Sequence, residues 1–288
     1  RFLQHTDGTP FLYLGDTAWE LIYRLNEPEV ELYMENRRTK GFTVIQTVIL
    51  SELDGSDGIN RPLINGSPST PDPDYFKWVD RVLEIAGEKG LYVGLLPTWG
   101  DKVDKQWGAG PEIFDEANAR EYGRWLGRRY ADTPNIIWII GGDRSGEGKN
   151  FTVWKAMAEG IKECDKRHLM TYHPQGEHSS SFWFHDETWL DFNMFQSGHA
   201  QRDYAIYRRL LLNDLQKQPI KPVLDGEPRY ENIPIDFKSE NGRFDDFDVR
   251  MTLYQSMFSG ACGYTYGCNE VWQMYSDKYS PMIDAQTT

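Results

Sequence analysis

Cysteine is scarce in this 288-residue sequence, which contains only three, Cys164, Cys262 and Cys268. Their number is odd and none stands in a Cys-x-x-Cys pair, so neither a disulfide framework nor a zinc ribbon is indicated. Long apolar runs are missing as well. No stretch approaches the ~18 residues of a membrane span, and no signal-peptide pattern is present. We therefore expect three packed thiols and no membrane insertion.

Clustered positive charge is also lacking. Lys and Arg number 31 against 44 Asp and Glu, a net charge of −13, and Lys or Arg residues never run beyond two in succession. This balance makes nucleic acid and anionic membranes poor partners and favours a neutral substrate. Aromatic residues, by contrast, make up 14% of the sequence. They suit a cleft that stacks on flat apolar faces, although most Trp residues in a globular protein belong to its core.

Nucleotide and metal motifs are absent. Neither a Gly-x-Gly-x-x-Gly nor a Walker sequence occurs, so no nucleotide cofactor is predicted. Imidazole is a common zinc ligand, but no His-x-His or His-Glu-x-x-His spacing joins His173, His178, His185 and His199. We predict neither a cofactor nor a metal.

Two buried strands lead directly to carboxylates. Residues 136–140 are five large apolar residues in a row, introduced by a Thr-Pro-Asn turn and stopped by Gly141 and Gly142. Such a run is typical of a parallel strand covered on both faces, and Asp143 follows it at once. Residues 222–224 similarly lead to Asp225 and to Glu227, which precedes a proline. In α/β proteins, reactive groups are presented at such C-terminal strand tips.

Short apolar strands alternate with amphipathic helices along the whole sequence. Strands are predicted at residues 11–14, 42–50, 91–96, 136–140, 169–172, 191–195, 222–224 and 263–267, and helices at residues 28–40, 75–89, 117–130, 151–164, 204–215 and 248–258. Eight strands that each end in polar or aromatic residues predict an α/β fold, a (β/α)8 TIM barrel, as a single catalytic domain over residues 1–288. We expect residues 51–74, a long polar segment, to wall the site. No clear helix follows the last strand, so we expect a barrel that lacks its last helix or is closed by residues outside this sequence.

Asp143 and Glu227 follow the fourth and seventh strands, which face each other across a barrel mouth. Hydrolysis of a glycosidic bond needs one acid to protonate the leaving oxygen and one carboxylate to attack or assist at the anomeric carbon. Separations of about 5–5.5 Å indicate retention and about 6.5–9.5 Å inversion, and the sequence leaves both open. The alternative is that Asp143 caps a turn and Glu227 pairs with Arg229. Because two carboxylates share this placement, we favour catalysis.

Other strand ends supply candidate binding groups. Hydrogen bonds to sugar hydroxyls are predicted for Asp16, Gln46, Glu52, His173, Gln196 and His199, and aromatic faces for Trp19, Trp99, Tyr266 and Trp272. Each of these residues has an alternative role in packing the barrel rim. Arg144 is predicted to contact substrate or to set the pKa of Asp143, with a surface ion pair as its alternative.

Seven segments in order carry a family resemblance. They are Gly15-Asp16-Thr17-Ala18-Trp19, Gly41-Phe42-Thr43-Val44-Ile45-Gln46, Pro97-Thr98-Trp99-Gly100, Trp138-Ile139-Ile140-Gly141-Gly142-Asp143, Thr171-Tyr172-His173-Pro174, Gln196-Ser197-Gly198-His199 and Gly226-Glu227-Pro228. Together they resemble the apiosidase-like glycoside hydrolases, barrel enzymes that act on plant pectin side chains. The resemblance runs over nearly the whole sequence and is far more specific than any single motif.

The resemblance implies an exo-acting, retaining glycosidase with Asp143 as acid/base and Glu227 as nucleophile. It also implies a terminal apiose or similar pentofuranose as the sugar released. The sequence departs from the related barrel glycosidases in having Asp143 after Gly142, where a Glu after Asn is usual. Family members also tend to carry a C-terminal β-sandwich, which we expect as a partner domain outside this sequence. Because the sequence begins at Arg1 rather than Met, we expect a leader to have been removed and the protein to be periplasmic or secreted.

Two functions of other classes remain open at this stage. One is a carbohydrate-binding barrel without turnover, which would bind sugar and release no product. The other is a metal-dependent hydrolase on the same barrel, since a fold does not determine a function. The intact pair Asp143 and Glu227 argues against the first, and activity that survives a chelator would exclude the second.

Overall fold

The computed structural model describes residues 2–52 and 62–284. Its strands are β1 (Leu3–Gln4), β2 (Pro10–Phe11), β3 (Tyr13–Thr17), β4 (Val44–Leu50), β5 (Tyr92–Thr98), β6 (Ile136–Arg144), β7 (Met170–Pro174), β8 (His178–Ser179), β9 (Asn193–Gln196), β10 (Val223–Asp225) and β11 (Gly263–Tyr266). Its helices are α1 (Leu21–Arg24), α2 (Glu27–Thr39), α3 (Pro73–Glu88), α4 (Glu116–Tyr130), α5 (Lys149–Cys164), α6 (Ile206–Asp214), α7 (Asp246–Phe258) and α8 (Asn269–Trp272).

Eight of these strands form a parallel barrel. The sheet order is β7-β6-β5-β4-β3-β11-β10-β9, and β8 adds to β9 in antiparallel fashion. Hydrogen bonds close the remaining seam between β7 and β9, since the amide of Asp191 donates to the Met170 carbonyl at 2.8 Å and the Thr171 hydroxyl to the Phe192 carbonyl at 2.7 Å. The predicted (β/α)8 barrel is confirmed.

The predicted helices are present, and side-chain caps fix several of their starts. Asn26 and Glu29 form a reciprocal capping box at α2, and Asp245 and Asp248 form another at α7. Such caps satisfy amides that otherwise lack partners at a helix N-terminus. After β11, residues 267–284 contain only the four-residue α8, in line with the expected lack of a long last helix. None of the helices in the described part of the chain combines the length and the apolar character needed to cross a bilayer.

Side chains alternate between the barrel interior and the helix layer. Interior residues such as Tyr13, Val48 and Ile139 form one buried cluster. Outward residues such as Trp138 and Ile140 pack under the helices in another. Because successive residues of a strand point to opposite sides, a shift of one position decides whether a side chain reaches the barrel lumen. This alternation determines which of the predicted binding residues can meet a substrate.

Two sequence predictions differ in detail, and a third falls largely outside the described residues. The predicted strand at 11–14 is divided, because Pro10–Phe11 pairs with Leu3–Gln4 while Tyr13–Thr17 joins the barrel. The fourth barrel strand continues beyond its apolar run to Arg144. Of the segment expected to wall the site, residues 53–61 lie outside the described residues, and residues 63 and 71 form an isolated bridge.

The cysteines are free thiols, as expected.

Candidate active site

The C-terminal end of β6 delivers Asp143 through an irregular backbone. Gly141 and Gly142 have φ values of 98° and 128°, and pairing with β7 shifts register between Gly141 and Arg144. A Cβ atom on Gly142 would lie 2.8 Å from the amide nitrogen of Gly100, so a larger residue does not fit there. Asp143 itself has φ 62°, a left-handed conformation that costs free energy for most residues. The two glycines thus allow the strand to end in an irregular conformation, which turns the Asp143 carboxylate away from the direction that a regular strand would give it.

The environment of Asp143 favours its protonated form. Burial and, after it, the negative charge of Glu227 raise the pKa of Asp143 to about 6, against the opposing charges of His173, Arg144 and His199. One carboxylate oxygen, Oδ2, accepts a hydrogen bond from Trp107 Nε1 at 3.2 Å. A carboxyl whose pKa lies near 6 can hold a proton and release it at mildly acidic pH.

Glu227, two residues after β10, has the opposite electrostatic character. Its Oε1 accepts a hydrogen bond from the Tyr230 hydroxyl at 2.6 Å and lies 3.1 Å from His199 Nε2. His173 Nε2 lies 2.7 Å from Oε2, within ion-pair distance but outside hydrogen-bond alignment. Burial alone would raise the pKa of Glu227, but the charges and contacts of His173 and His199 outweigh it and hold that pKa well below its usual range. Glu227 is therefore ionised where Asp143 is protonated.

His173 links the backbone of Asp143 to the carboxylate of Glu227. Its Nδ1 accepts a hydrogen bond from the backbone amide of Asp143 at 3.2 Å. An imidazole that accepts at Nδ1 carries its proton on Nε2, and Nε2 is the atom that faces Glu227. The ring is fully buried. One imidazole thereby fixes the end of β6 and places a donor beside the neighbouring carboxylate.

A second path of contacts reaches Glu227 from Trp19, two residues after the end of β3. The Trp19 indole Nε1 donates to the Tyr230 hydroxyl at 3.0 Å, and that hydroxyl donates in turn to Glu227. Tyr230 packs so tightly on Gly267 that a Cβ there would lie 1.9 Å from its ring. Burial and the Glu227 charge raise the pKa of Tyr230 well above its usual value, so its hydroxyl keeps the proton that it donates.

Predicted aromatic residues form the floor of this site. The Trp19 and Trp99 rings lie 5.2 Å apart, and Trp19 meets the His173 ring edge to face at 5.4 Å. Trp272 belongs to the same buried cluster, and its indole nitrogen donates to Asn269. The Trp19 and Trp99 rings lie against His173, which contacts Asp143 and Glu227, and the contacts of all three tryptophans with a sugar remain predictions.

Several buried polar atoms at the described part of the barrel mouth lack a hydrogen-bonded protein partner. Among the described residues, Gln196 Oε1, His199 Nδ1 and Glu227 Oε2 are buried and accept or donate no hydrogen bond. Since buried polar atoms normally find partners, they are candidates to meet ligand hydroxyls. Glu52 lies near the acid, and its pKa is raised to about 7 by burial, by Asp101 and, with a smaller effect, by Asp143.

Two predicted sugar-binding residues serve the fold instead. The Asp16 side chain is fully buried and points outward to α2, where it pairs with Arg37 and accepts from the Tyr33 hydroxyl. Gln46 points inward but lies below the site. It accepts from the Tyr13 hydroxyl at 3.0 Å and donates to the Gly226 carbonyl at 2.9 Å. The predictions for Asp16 and Gln46 are therefore corrected, because neither side chain reaches the barrel mouth.

Tyr266 and Arg144 also need correction. Tyr266 faces the outside of the barrel, where it donates to Glu231 at 2.6 Å and contacts Phe42. Arg144 is fully buried, and its guanidinium donates to the carbonyls of Asp143, Asp104 and Lys105. Among the described residues Arg144 makes no ion pair, so the alternative of a surface ion pair is wrong, whereas its charge lowers the pKa of Asp143, which was the other role predicted for it.

Sequence reasoning missed three residues at the site. Tyr230 lies only three positions after Glu227, a spacing that offered a signal. Trp107 lies in an irregular loop after β5 and is 61% exposed, which no sequence pattern indicates. Phe237 is 56% exposed, and its ring centroid lies 5.7 Å from that of His199. Within residues 2–52 and 62–284, no three His, Cys, Asp or Glu side chains come together in a way that would hold a metal ion.

Comparison with known proteins finds a family model and solved structures that match this chain. Residues 1–287 match the family model described as "Apiosidase-like, catalytic domain". A solved structure described as a glycoside hydrolase is 36% identical with a TM-score of 0.86, and the alignment covers 100% of this chain and 68% of that one. A glycoside hydrolase family 5 structure from Bacteroides vulgatus ATCC 8482 is also 36% identical, with a TM-score of 0.85 and coverage of 99% and 64%.

This chain therefore spans about two thirds of the length of those two proteins. An endo-1,4-beta-D-mannanase from Thermotoga petrophila RKU-1 is 15% identical with a TM-score of 0.64, and the alignment covers 90% of this chain and 88% of that one. At that identity the likeness concerns the barrel fold alone. A search of curated protein sequences found no match.

Proposed function

Because the chain belongs to the apiosidase-like glycoside hydrolases, we propose that it removes a terminal apiose, or a similar pentofuranose, from a plant pectic polysaccharide or oligosaccharide. The observation that carries this proposal is that two carboxyls at one barrel mouth have pKa values shifted in opposite directions. Asp143 has a pKa raised to about 6 by burial and by Glu227, whereas His173 and His199 overcome the effect of burial and lower the pKa of Glu227. Glycosidases need this division between a proton donor and an ionised carboxylate.

The proposed mechanism is a double displacement with retention. Glu227 attacks the anomeric carbon while Asp143 gives its proton to the glycosidic oxygen, and the leaving group departs as an alcohol. Asp143 then removes a proton from water, which attacks the same carbon and releases Glu227 as a carboxylate. The contacts of Glu227 support its role, because Tyr230 and His199 hold Oε1 and leave Oε2 without a hydrogen-bonded partner among the described residues.

Other groups at the barrel mouth support a sugar substrate. The Trp19 and Trp99 rings offer apolar surface, while Gln196 Oε1 and His199 Nδ1 provide an acceptor and a second polar atom for hydroxyl groups. A carbohydrate substrate also agrees with the net charge of −13, which disfavours nucleic acid. Location in the periplasm or outside the cell is part of the same proposal, because pectic glycans are extracellular.

The test is hydrolysis of a panel of aryl glycosides and pectic oligosaccharides by the parent, Glu227→Gln and Asp143→Asn. We expect release of one sugar by the parent and loss of that activity by orders of magnitude in both variants. Asp132→Asn and Glu84→Gln are matched controls, because both side chains are exposed and pair with Arg167 and Arg81 rather than with a residue of the site. Proton NMR of the first-formed product reports its anomeric configuration, and inversion would overturn the double displacement.

The same panel separates the two competing functions. A binding barrel without turnover would retain sugar in a binding assay and release no product from any substrate. A metal-dependent hydrolase would lose activity in chelator and recover it with added metal. We expect full activity in chelator, together with the loss in Asp143→Asn.

A further inference from the structure

An exposed tryptophan touches the proposed acid of this site. The side chain of Trp107 is 61% exposed, yet its Nε1 lies 3.2 Å from Asp143 Oδ2 and donates to it. Large apolar side chains are usually buried, so a mostly exposed indole that bonds to a functional carboxyl needs an explanation.

Arg144 supports this indole from one side. The guanidinium carbon lies 4.6 Å from the centroid of the Trp107 ring, a cation–π arrangement. Arg144 is itself fully buried, and its Nε and Nη2 donate to the carbonyls of Asp104 and Lys105 at 2.6 and 3.0 Å. The residue that follows the acid thus anchors the backbone before Trp107 and covers one face of its ring.

The other end of the loop is anchored as well. The Gly110 amide donates to Asp101 Oδ2 at 2.7 Å, and the Gly110 carbonyl accepts from Lys102 Nζ at 2.7 Å. Both Asp101 and Lys102 are buried. With fixed backbone on both sides, the fold holds the indole in place and presents it to solvent before any ligand binds, which lowers the entropic cost of binding on it.

The position of the indole determines what it can bind. A general acid protonates the glycosidic oxygen, so the sugar on the far side of that oxygen lies next to the acid. A flat, exposed aromatic ring at that place is a surface on which the apolar face of a sugar ring packs. We infer that Trp107 forms the binding site for the leaving sugar, the residue to which the released pentofuranose was attached. This inference rests on the function proposed above.

The hydrogen bond to the acid gives Trp107 a second effect on the same step. When Asp143 is protonated, the oxygen that accepts from the indole is the carbonyl oxygen, so the proton lies on Oδ1. The indole thereby directs the proton-bearing oxygen of Asp143 while its ring holds the leaving sugar. A donor to a carboxylate also stabilises the ionised form, so loss of the donor raises the pKa of Asp143.

The experiment compares two substrates of the sugar that the parent releases. One is an oligosaccharide with a sugar leaving group, and the other is the glycosyl fluoride, which has no leaving ring and little need of an acid. Trp107→Ala should lower kcat/KM for the oligosaccharide about tenfold or more, 1.4 kcal/mol, and leave the fluoride within about threefold of the parent. Phe258→Ala, which removes an aromatic ring that is 86% exposed on α7, should change neither.

Trp107→Phe separates the two effects. It keeps an aromatic face but removes the indole donor, so it should retain more oligosaccharide activity than Trp107→Ala and shift the basic limb of the pH profile upward. Equal losses of kcat/KM on both substrates, or no loss on the oligosaccharide, would overturn the inference about Trp107. The proposed function would still stand in that case, because the parent cleaves the substrate. If the parent cleaves neither substrate, the proposed function fails and the inference fails with it.

Discussion

Replacing Glu227 by glutamine should lower the pKa of Asp143, although the two residues lie 84 positions apart in the sequence. In the native site that pKa is raised to about 6, first by burial and second by the Glu227 charge. Glu227→Gln keeps the shape of the side chain and removes its charge. Burial of Asp143 remains, so only the electrostatic part of the rise is lost.

The size of the effect follows from Coulomb's law. Two unit charges about 5.5 Å apart, the separation in retaining glycosidases, interact by roughly 3 kcal/mol at an effective dielectric constant of about 20. That energy corresponds to about 2 pH units and is an upper bound, because burial is the larger cause of the rise. We expect the pKa of Asp143 to fall by about 1 unit, to about 5.

The assay is a carbon-13 NMR titration of protein labelled at the aspartate side-chain carboxyls. The Asp143 resonance is assigned by its loss in Asp143→Asn, and the inactive Glu227→Gln protein needs no substrate. Asp132→Asn is the charge-matched control, since it also removes one negative charge but from a fully exposed position. An unchanged Asp143 pKa in Glu227→Gln would show that the two carboxyls do not face each other.

Three further predictions follow from the same contacts. The value of kcat/KM should fall as pH rises through about 6, where Asp143 loses its proton. The acidic limb of the pH profile should lie at a pH below the usual pKa range of a glutamate, because Glu227 stays ionised there. Tyr230→Phe removes the 2.6 Å hydrogen bond to Glu227, so kcat/KM should drop about 10–100-fold and the acidic limb should move to higher pH, whereas an unmoved limb would contradict this role. Asp16→Asn leaves the buried Arg37 charge uncompensated, so urea titration should show a loss of roughly 3 kcal/mol in the free energy of unfolding, with kcat at 25 °C retained if Asp16 serves only the fold.

The barrel was predictable because its strands are short apolar runs closed by polar residues. Residues 136–140 illustrate this, since a strand covered on both faces needs no alternation and reads as continuous hydrophobic sequence. Because such a run does not alternate between apolar and polar residues, it does not indicate which way each side chain points. Asp16 was predicted to face the substrate, but it lies one position from the inward residues of β3 and therefore meets Arg37 on α2.

The two carboxylates were predictable for a different reason. Each lies just after a buried apolar run, and parallel strands bring their C-terminal ends to one face of a barrel. Tyr230 and Trp107 do not follow a buried strand in this way, and the only sequence signal for either is the three-residue spacing of Tyr230 from Glu227. Tyr230 lies in an irregular segment three positions after Glu227, and Trp107 reaches Asp143 through a loop whose course depends on the buried guanidinium of Arg144. Tertiary hydrogen bonds of that kind leave no local pattern in the sequence.

Azide rescue tests the assignment of Asp143 and Glu227 most directly. Each residue is replaced by alanine, and an aryl glycoside of the released sugar with a good leaving group is offered together with azide. We predict that Asp143→Ala yields a glycosyl azide with the anomeric configuration of the substrate, because azide attacks the intermediate formed on Glu227. Glu227→Ala should yield the azide of inverted configuration by direct attack. Inverted product from Asp143→Ala, or retained product from Glu227→Ala, would contradict these roles.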